Sequence, residues 1–114
     1  MFKRGSNKFR VAPKAQREFN GKTYHSKKEK EYAQKLSLLK KAGEIKGYQE
    51  QVKMSIDVNG QHICNYILDF LVEENNGVKR YIDVKGYKGG FAYNVFKLKS
   101  KLITAIYGIV IEEV

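Results

Sequence analysis

Tyr66-Ile67-Leu68-Asp69-Phe70-Leu71-Val72 is the most apolar stretch of this 114-residue chain, and a carboxylate stands at its centre. The stretch reads as the middle of a strand running from about Gln61 to Glu73, bounded by turn residues on both sides. Upstream, Asn59-Gly60 is a two-residue hairpin signal, because both residues tolerate positive φ. The segment before it, Tyr48 to Val58, places Tyr48, Glu50, Val52, Met54, Ile56 and Val58 on one parity, as a strand does. Downstream, Asn75-Asn76-Gly77 makes another turn, and Lys79-Arg80-Tyr81-Ile82-Asp83-Val84-Lys85 reads as a third strand.

Farther out lie two helices. Ser26 opens the first, with Glu29 three residues on completing a capping box, and Gly43 stops it after Ala42. Tyr32, Ala33, Leu36 and Leu39 form its apolar stripe. Asn20-Gly21 predicts a short hairpin just before it. After a Gly86–Gly90 loop, the second helix spans about Ala92 to Tyr107, with Val95, Leu98, Leu102, Ala105 and Ile106 on one side. Gly108 ends it, and Ile109 to Val114 reads as a final buried strand. The order α-β-β-β-α-β gives an α/β fold of α+β mixed-sheet type, with three meandering strands, a crossover helix and a fourth strand. Residues 18–114 are read as a single domain. Residues 1–17 are read as a basic, flexible arm that contains the only proline, Pro13, and shows no periodicity.

Composition narrows the function. At 42% hydrophobic and 30% charged residues the chain has an ordinary globular make-up, with no apolar run near the ~20 residues of a membrane helix. No apolar segment follows the basic start, so no secretory signal is expected. A lone Cys64 neither staples the fold nor builds a thiolate zinc site, and suits a reducing compartment. The net charge of +10 implies a polyanionic partner, nucleic acid first and an anionic membrane surface second. Nine of the bases and a single acid, Glu18, fall in residues 1–28, so most of the surplus sits at the N-terminal side.

Two strand features call for chemistry. Asp69 in an apolar strand must be paired, hydrogen-bonded or metal-bound, since an isolated buried charge costs several kcal/mol. Asp83 and Lys85, at i and i+2, share a face. If strands two and three pair through the turn at 75–77, Asp69 and Asp83 lie towards the same end of neighbouring strands. Two carboxylates beside an ammonium suit Mg²⁺, which takes few protein ligands and keeps several waters. The alternative reading is a same-face ion pair of Asp83 and Lys85 on an exposed strand. Glu29 is explained by capping. At ~100° per residue it also falls within about 60° of the centre of the apolar stripe and so faces the sheet, and both capping and metal work are assigned to it.

The runs Ser26-Lys27-Lys28-Glu29, Tyr66-Ile67-Leu68-Asp69-Phe70 and Ile82-Asp83-Val84-Lys85-Gly86 together resemble the PD-(D/E)XK nuclease superfamily, whose core is restriction-endonuclease-like and has the same element order. The chain is most similar to a small phage-type branch with a Ser-Lys-Lys-Glu helix start, an Ala-Gly-Glu-Ile segment (Ala42 to Ile45), an Asp-Val-Lys-Gly strand end and a Lys-rich second helix. The similarity covers about residues 19–114. Leu68 stands where the motif nominally has proline. The resemblance implies a Mg²⁺-dependent endonuclease, with Mn²⁺ able to substitute, in which Asp69, Asp83 and the Val84 carbonyl bind metal. It further implies that Lys85 assists the attacking water and that Glu29 holds a second ion or a metal-bound water. Small members of this layout include Holliday junction resolvases acting as homodimers, so branched DNA is the expected partner, in the cytoplasm of a bacterial host. Other repair, recombination or restriction-type nucleases share the superfamily.

Lys3, Arg4, Lys8, Arg10, Lys14, Arg17, Lys27, Lys28, Lys88, Lys97, Lys99 and Lys101 are the expected DNA contacts. Phosphate contacts of this kind fix affinity and register without reading sequence. Phe91, Tyr93 and Phe96 are candidates for a dimer interface. His25 and His62 have no metal-ligand spacing, and Gly86 to Gly90 lacks the Lys-Ser/Thr ending of a phosphate-binding loop, so no nucleotide cofactor is expected. The rival from another class is a non-catalytic basic nucleic-acid-binding protein with structural carboxylates.

Overall fold

A computed structural model describes residues 11–114. Lys3, Arg4, Lys8 and Arg10 of the expected basic arm lie outside the described residues. The chain divides into two compact units, one ending at Ala42 and the other running from Gly43 to Val114.

In the first unit, Pro13 precedes a single 3-10 turn, Lys14–Arg17. The hairpin strands β1 (Glu18–Phe19) and β2 (Lys22–Thr23) follow, joined by Asn20 and Gly21 at φ of 57° and 78°. The Arg17 guanidinium donates from Nε to the Ala12 carbonyl (2.9 Å) and from Nη1 to the Tyr24 carbonyl (2.8 Å). The Tyr24 N–H in turn donates to the Arg17 carbonyl. Lys14 to Arg17 of the segment read as an arm thus form a turn, and the Arg17 side chain donates to two backbone carbonyls.

Helix α1 (Lys27–Lys41) begins where the Ser26 Oγ accepts the Glu29 N–H at 3.0 Å. Glu29 closes the box by accepting the His25 N–H at 2.9 Å. The predicted stripe is the inward one, with Ala33 and Leu36 buried and Tyr32 and Leu39 half-buried. It packs with the 3-10 turn and β1 within this unit.

The second unit is a four-stranded mixed sheet in the order β3 (Gly47–Val58), β4 (Gln61–Glu73), β5 (Lys79–Asp83), β6 (Ile111–Glu113), with helix α2 (Gly90–Tyr107) between the last two. Asn59 and Gly60, at φ of 52° and 80°, make the tight hairpin turn and set Val58 opposite Gln61. β4 and β5 pair antiparallel, Phe70 facing Ile82 and Glu73 facing Lys79. β5 and β6 are parallel, a pairing that needs a crossover, and α2 supplies it. The fold is therefore α+β with a mixed sheet, as the element order predicts. No described helix is long and apolar enough to cross a membrane.

The core of this unit joins Ile56, Tyr66 and Leu68 of the sheet to Phe96 and Ile103 of α2 and Ile111 of β6. Burial of each such side chain contributes about 1.5–3 kcal/mol. The inward face of α2 differs from expectation. Tyr93, Phe96, Leu102 and Ile103 meet the sheet, whereas Leu98 is 61% and Ile106 42% exposed. The helix carries two apolar stripes roughly a third of a turn apart. The stripe with the two aromatic rings removes more surface from water, and it is the one buried. Phe96 accordingly belongs to the core, Tyr93 packs half-buried against it, and Phe91 stays exposed.

Candidate active site

Continuing the β4–β5 register by one residue sets Asp69 against Asp83. The ladder stops there because the next backbone donors turn to carboxylates. The Val84 N–H donates to Asp69 Oδ2 at 2.9 Å, and the Asp69 N–H donates to Asp83 Oδ1 at 3.3 Å. Each aspartate is thus fixed by the strand of the other, and the two acids predicted to converge do so.

Asp83 is 3% exposed, and its carboxylate is well supplied with donors. The Tyr66 hydroxyl donates to Oδ2 at 2.6 Å, and Lys85 Nζ lies 3.0 Å from the same oxygen. Burial pushes the Tyr66 phenol far above its ordinary value, followed in effect by its hydrogen bond to Asp83 and by the charges of Asp83, Asp69 and Glu113. It therefore remains a neutral donor. Lys85 Nζ also sits 3.6 Å from the centroid of the Phe96 ring, a cation–π contact that holds the ammonium from its other side. The Asp83–Lys85 pair is real, but it is not on an exposed strand. Both residues, with Asp69 and Tyr66, line an open cleft of about 330 Å³ that Ala92, Val95, Phe96 and Lys99 of α2 also border.

Two residues here escaped the sequence reading. Gln51 lies between the pairs Glu50–Phe70 and Val52–Leu68, hence across from Asp69, and its Nε2 is 3.5 Å from Asp69 Oδ1. Its φ of 54° is left-handed, an unusual state for a mid-strand residue with a side chain, costing about 1–3 kcal/mol. Nothing in an alternating strand signals it. Glu113 pairs in register with Asp83 from β6 and so brings a further carboxylate beside the site. Tyr93 donates to Glu113 Oε1 at 2.7 Å, Lys97 lies 3.2 Å from Oε2, and Lys88 lies 3.8 Å from Oε1. The Tyr93 hydrogen bond, opposed by partial burial and aided by Lys97 and Lys88, holds the Glu113 carboxyl below its usual range. Only the register of a parallel pair reveals Glu113, and composition does not specify that register.

The predicted DNA-contacting cations divide by environment. Lys88 and Lys97 are tied to Glu113 yet about half-exposed, and Lys99 Nζ donates to the Asn65 carbonyl at 3.3 Å beside the cleft. Lys27, Lys28 and Lys101 are exposed, and Lys14 lies 3.9 Å from Glu18. Glu29 belongs to the other unit, where capping occupies it and His25 Nδ1 lies 3.6 Å from its carboxylate. Among the described residues no group of three or more His, Cys, Asp or Glu side chains is arranged to hold a metal ion. What the fold unites is two acids and an amine. Ser55, His62 and Asp57 also meet, but Ser55 and Asp57 approach the same ring nitrogen, Nδ1, so they cannot form a nucleophilic relay.

The donor set of the cleft fits a hard divalent cation. It offers two carboxylates across neighbouring strands and open space for water, and it lacks the thiolate or imidazole that zinc favours. Fold and site thus define an α+β protein with an open cleft that brings Asp69, Asp83 and Lys85 together at the end of a mixed sheet. The chain belongs to the family described as Protein of unknown function (DUF1064), which matches residues 8–111. No curated protein and no solved structure matches it.

Proposed function

We propose that this chain is a Mg²⁺-dependent, structure-specific DNA endonuclease of the PD-(D/E)XK type, acting as a homodimer on four-way junctions in the cytoplasm of a bacterial host. The observation that carries the reading is the meeting of Asp69, Asp83 and Lys85 in one open cleft. A structural ion pair alone does not call for a second aspartate in that cleft. The α-β-β-β-α-β order and the motif resemblance support the same chemistry.

Asp69 and Asp83 would hold the cation, with the Val84 carbonyl as a further oxygen donor and Mn²⁺ as a substitute metal. When bound, the ion supplies charge neutralisation at the scissile phosphate. The chain's own residues do the remaining work. Tyr66 and the Asp69 N–H fix the Asp83 carboxylate, so no reorganisation is needed as substrate arrives. Lys85, confined between Asp83 and the Phe96 ring, presents a fixed ammonium that orients the attacking water or offsets charge on the phosphate oxygens. Hydrolysis adds the water oxygen to phosphorus and breaks one phosphorus–oxygen ester bond. The net charge of +10 supplies backbone affinity without sequence reading, which suits recognition of DNA shape. A two-fold assembly would place paired sites for the two symmetric cuts that a junction requires.

The test is cleavage of labelled four-way junction, fork and linear duplex in Mg²⁺ by the full chain and by Asp83→Asn. The expected result is junction cutting by the native chain and its loss in the variant. Junction binding without cleavage would establish the non-catalytic binding protein instead. Equal cutting of all three substrates would keep the nuclease and remove the resolvase.

A further inference from the structure

Between Lys85 and Ala92, both of which line the cleft, the chain makes a short excursion through Gly86, Tyr87, Lys88, Gly89, Gly90 and Phe91. This segment leaves the rim of the cleft and returns to it. It carries Tyr87 and Phe91, each 84% exposed, the highest exposure among the large apolar and aromatic side chains described. Aromatic rings are normally the groups that gain most from burial, so two left in water beside one cleft need an account. A Cβ on Gly89 would stand 2.7 Å from the Tyr87 hydroxyl oxygen, so the phenol ring lies directly over the Gly89 backbone. Lys88, between the two aromatics, is drawn towards Glu113 of β6 at 3.8 Å.

We infer that Tyr87 and Phe91 form a stacking platform for unstacked DNA bases at the mouth of the cleft. This rests on the nuclease reading and names its substrate class: DNA whose bases are unstacked, at a branch point or in a single-stranded segment, in preference to continuous duplex. The chemistry follows from what each form of DNA exposes. A continuous duplex hides its base faces in the stack and offers phosphates alone, whereas unpaired bases offer π-faces that aromatic side chains bind without regard to sequence. Phosphate affinity is provided next to the platform, since Lys88 sits within it and Lys99 borders the same cleft. A purely apolar docking patch has no use for the lysine between the rings, whereas a nucleic-acid strand contacts ring and lysine alike.

The experiment measures binding of the full native chain in EDTA, where cleavage is silent. The probes are a junction with 2-aminopurine at the branch, a single-stranded oligonucleotide with the same label, and a continuous labelled duplex. Tyr87→Ala and Phe91→Ala are each expected to lower affinity for junction and single strand about tenfold and to abolish the emission change, with duplex affinity altered less than twofold. The ring-keeping variants Tyr87→Phe and Phe91→Tyr, with circular dichroism to verify folding, are expected to bind as the native chain does. Native affinity and emission in both alanine variants would overturn the platform, as would equal losses on all three DNAs. Cleavage in Mg²⁺ by those same variants separates the two claims. Cutting with an unchanged branch signal removes the platform and keeps the nuclease. A ring-dependent signal with no cutting by the native chain removes the nuclease and keeps the platform.

Discussion

At the scale of single residues, the Asp83 carboxylate is almost fully buried where it borders the open cleft. A buried carboxylate survives there because Tyr66, Lys85 and the Asp69 N–H all serve it. Tyr66→Phe keeps the ring in the core and removes one donor. Chemical denaturation of this variant should show a loss of about 1–3 kcal/mol. Lys85→Met should cost about 2 kcal/mol, below the roughly 3–5 kcal/mol of a fully buried pair, because Tyr66 remains and Lys85 retains some contact with water. If either variant matched the native chain in stability, the carboxylate would be drawing its support from elsewhere. The meeting of Asp69 and Asp83 was legible in the sequence because a charge inside an apolar run has few physical justifications. Gln51 was not legible, since a left-handed φ in a strand follows from tertiary constraint and leaves no mark in local composition.

At the scale of elements, turns and the buried face of α1 were readable and the buried face of α2 was not. Asn20-Gly21, Asn59-Gly60 and Gly108 all take the positive φ their residue types allow, so strand and helix ends fall within a few residues of expectation. In α2 the periodicity is satisfied by two apolar stripes, and the pattern does not say which one the sheet selects. Ile103→Ala, on the buried stripe, should cost about 2–5 kcal/mol. Leu98→Ala, on the exposed one, should change stability by less than about 0.5 kcal/mol. The reverse order in thermal unfolding would contradict the assignment of faces. Strand β6 supplies a pH dependence. Arg80 donates to Glu112 from Nε at 3.0 Å and from Nη2 at 2.7 Å, and its hydrogen bonds hold that carboxyl low, against a smaller effect of burial. Glu113 is held low chiefly by Tyr93. Carboxyls depressed on folding stabilise above their unfolded value of about 4.3. That contribution is lost as pH falls through the folded value. Stability should therefore decline on acidification below the ordinary carboxylate range, and a combined Glu112→Gln, Glu113→Gln variant should decline less steeply in a pH series of melts.

At the scale of the whole molecule, the proposed DNA partner makes the charge testable. A chain with +10 net charge should bind DNA with an affinity that falls steeply as salt rises, and neutralising Lys99 and Lys101 together should reduce the slope of log affinity against log salt by about 2. An unchanged slope would exclude both side chains from the phosphate interface. The element order was legible because each element carries its own terminators. The division at Ala42 was not, since it depends on how contacts are shared between segments far apart in the chain. Glu29 marks the same limit: its capping role is local and was readable, whereas a role beyond its own helix depends on tertiary placement. The most direct measurement of the central claim is paramagnetic broadening of backbone amide signals on titration with Mn²⁺. The account predicts broadening centred on residues 69 and 83–85, reversed by excess Mg²⁺ and absent in an Asp69→Asn, Asp83→Asn double variant that remains folded. Broadening centred elsewhere, or none at Mn²⁺ concentrations that support cleavage, would contradict it.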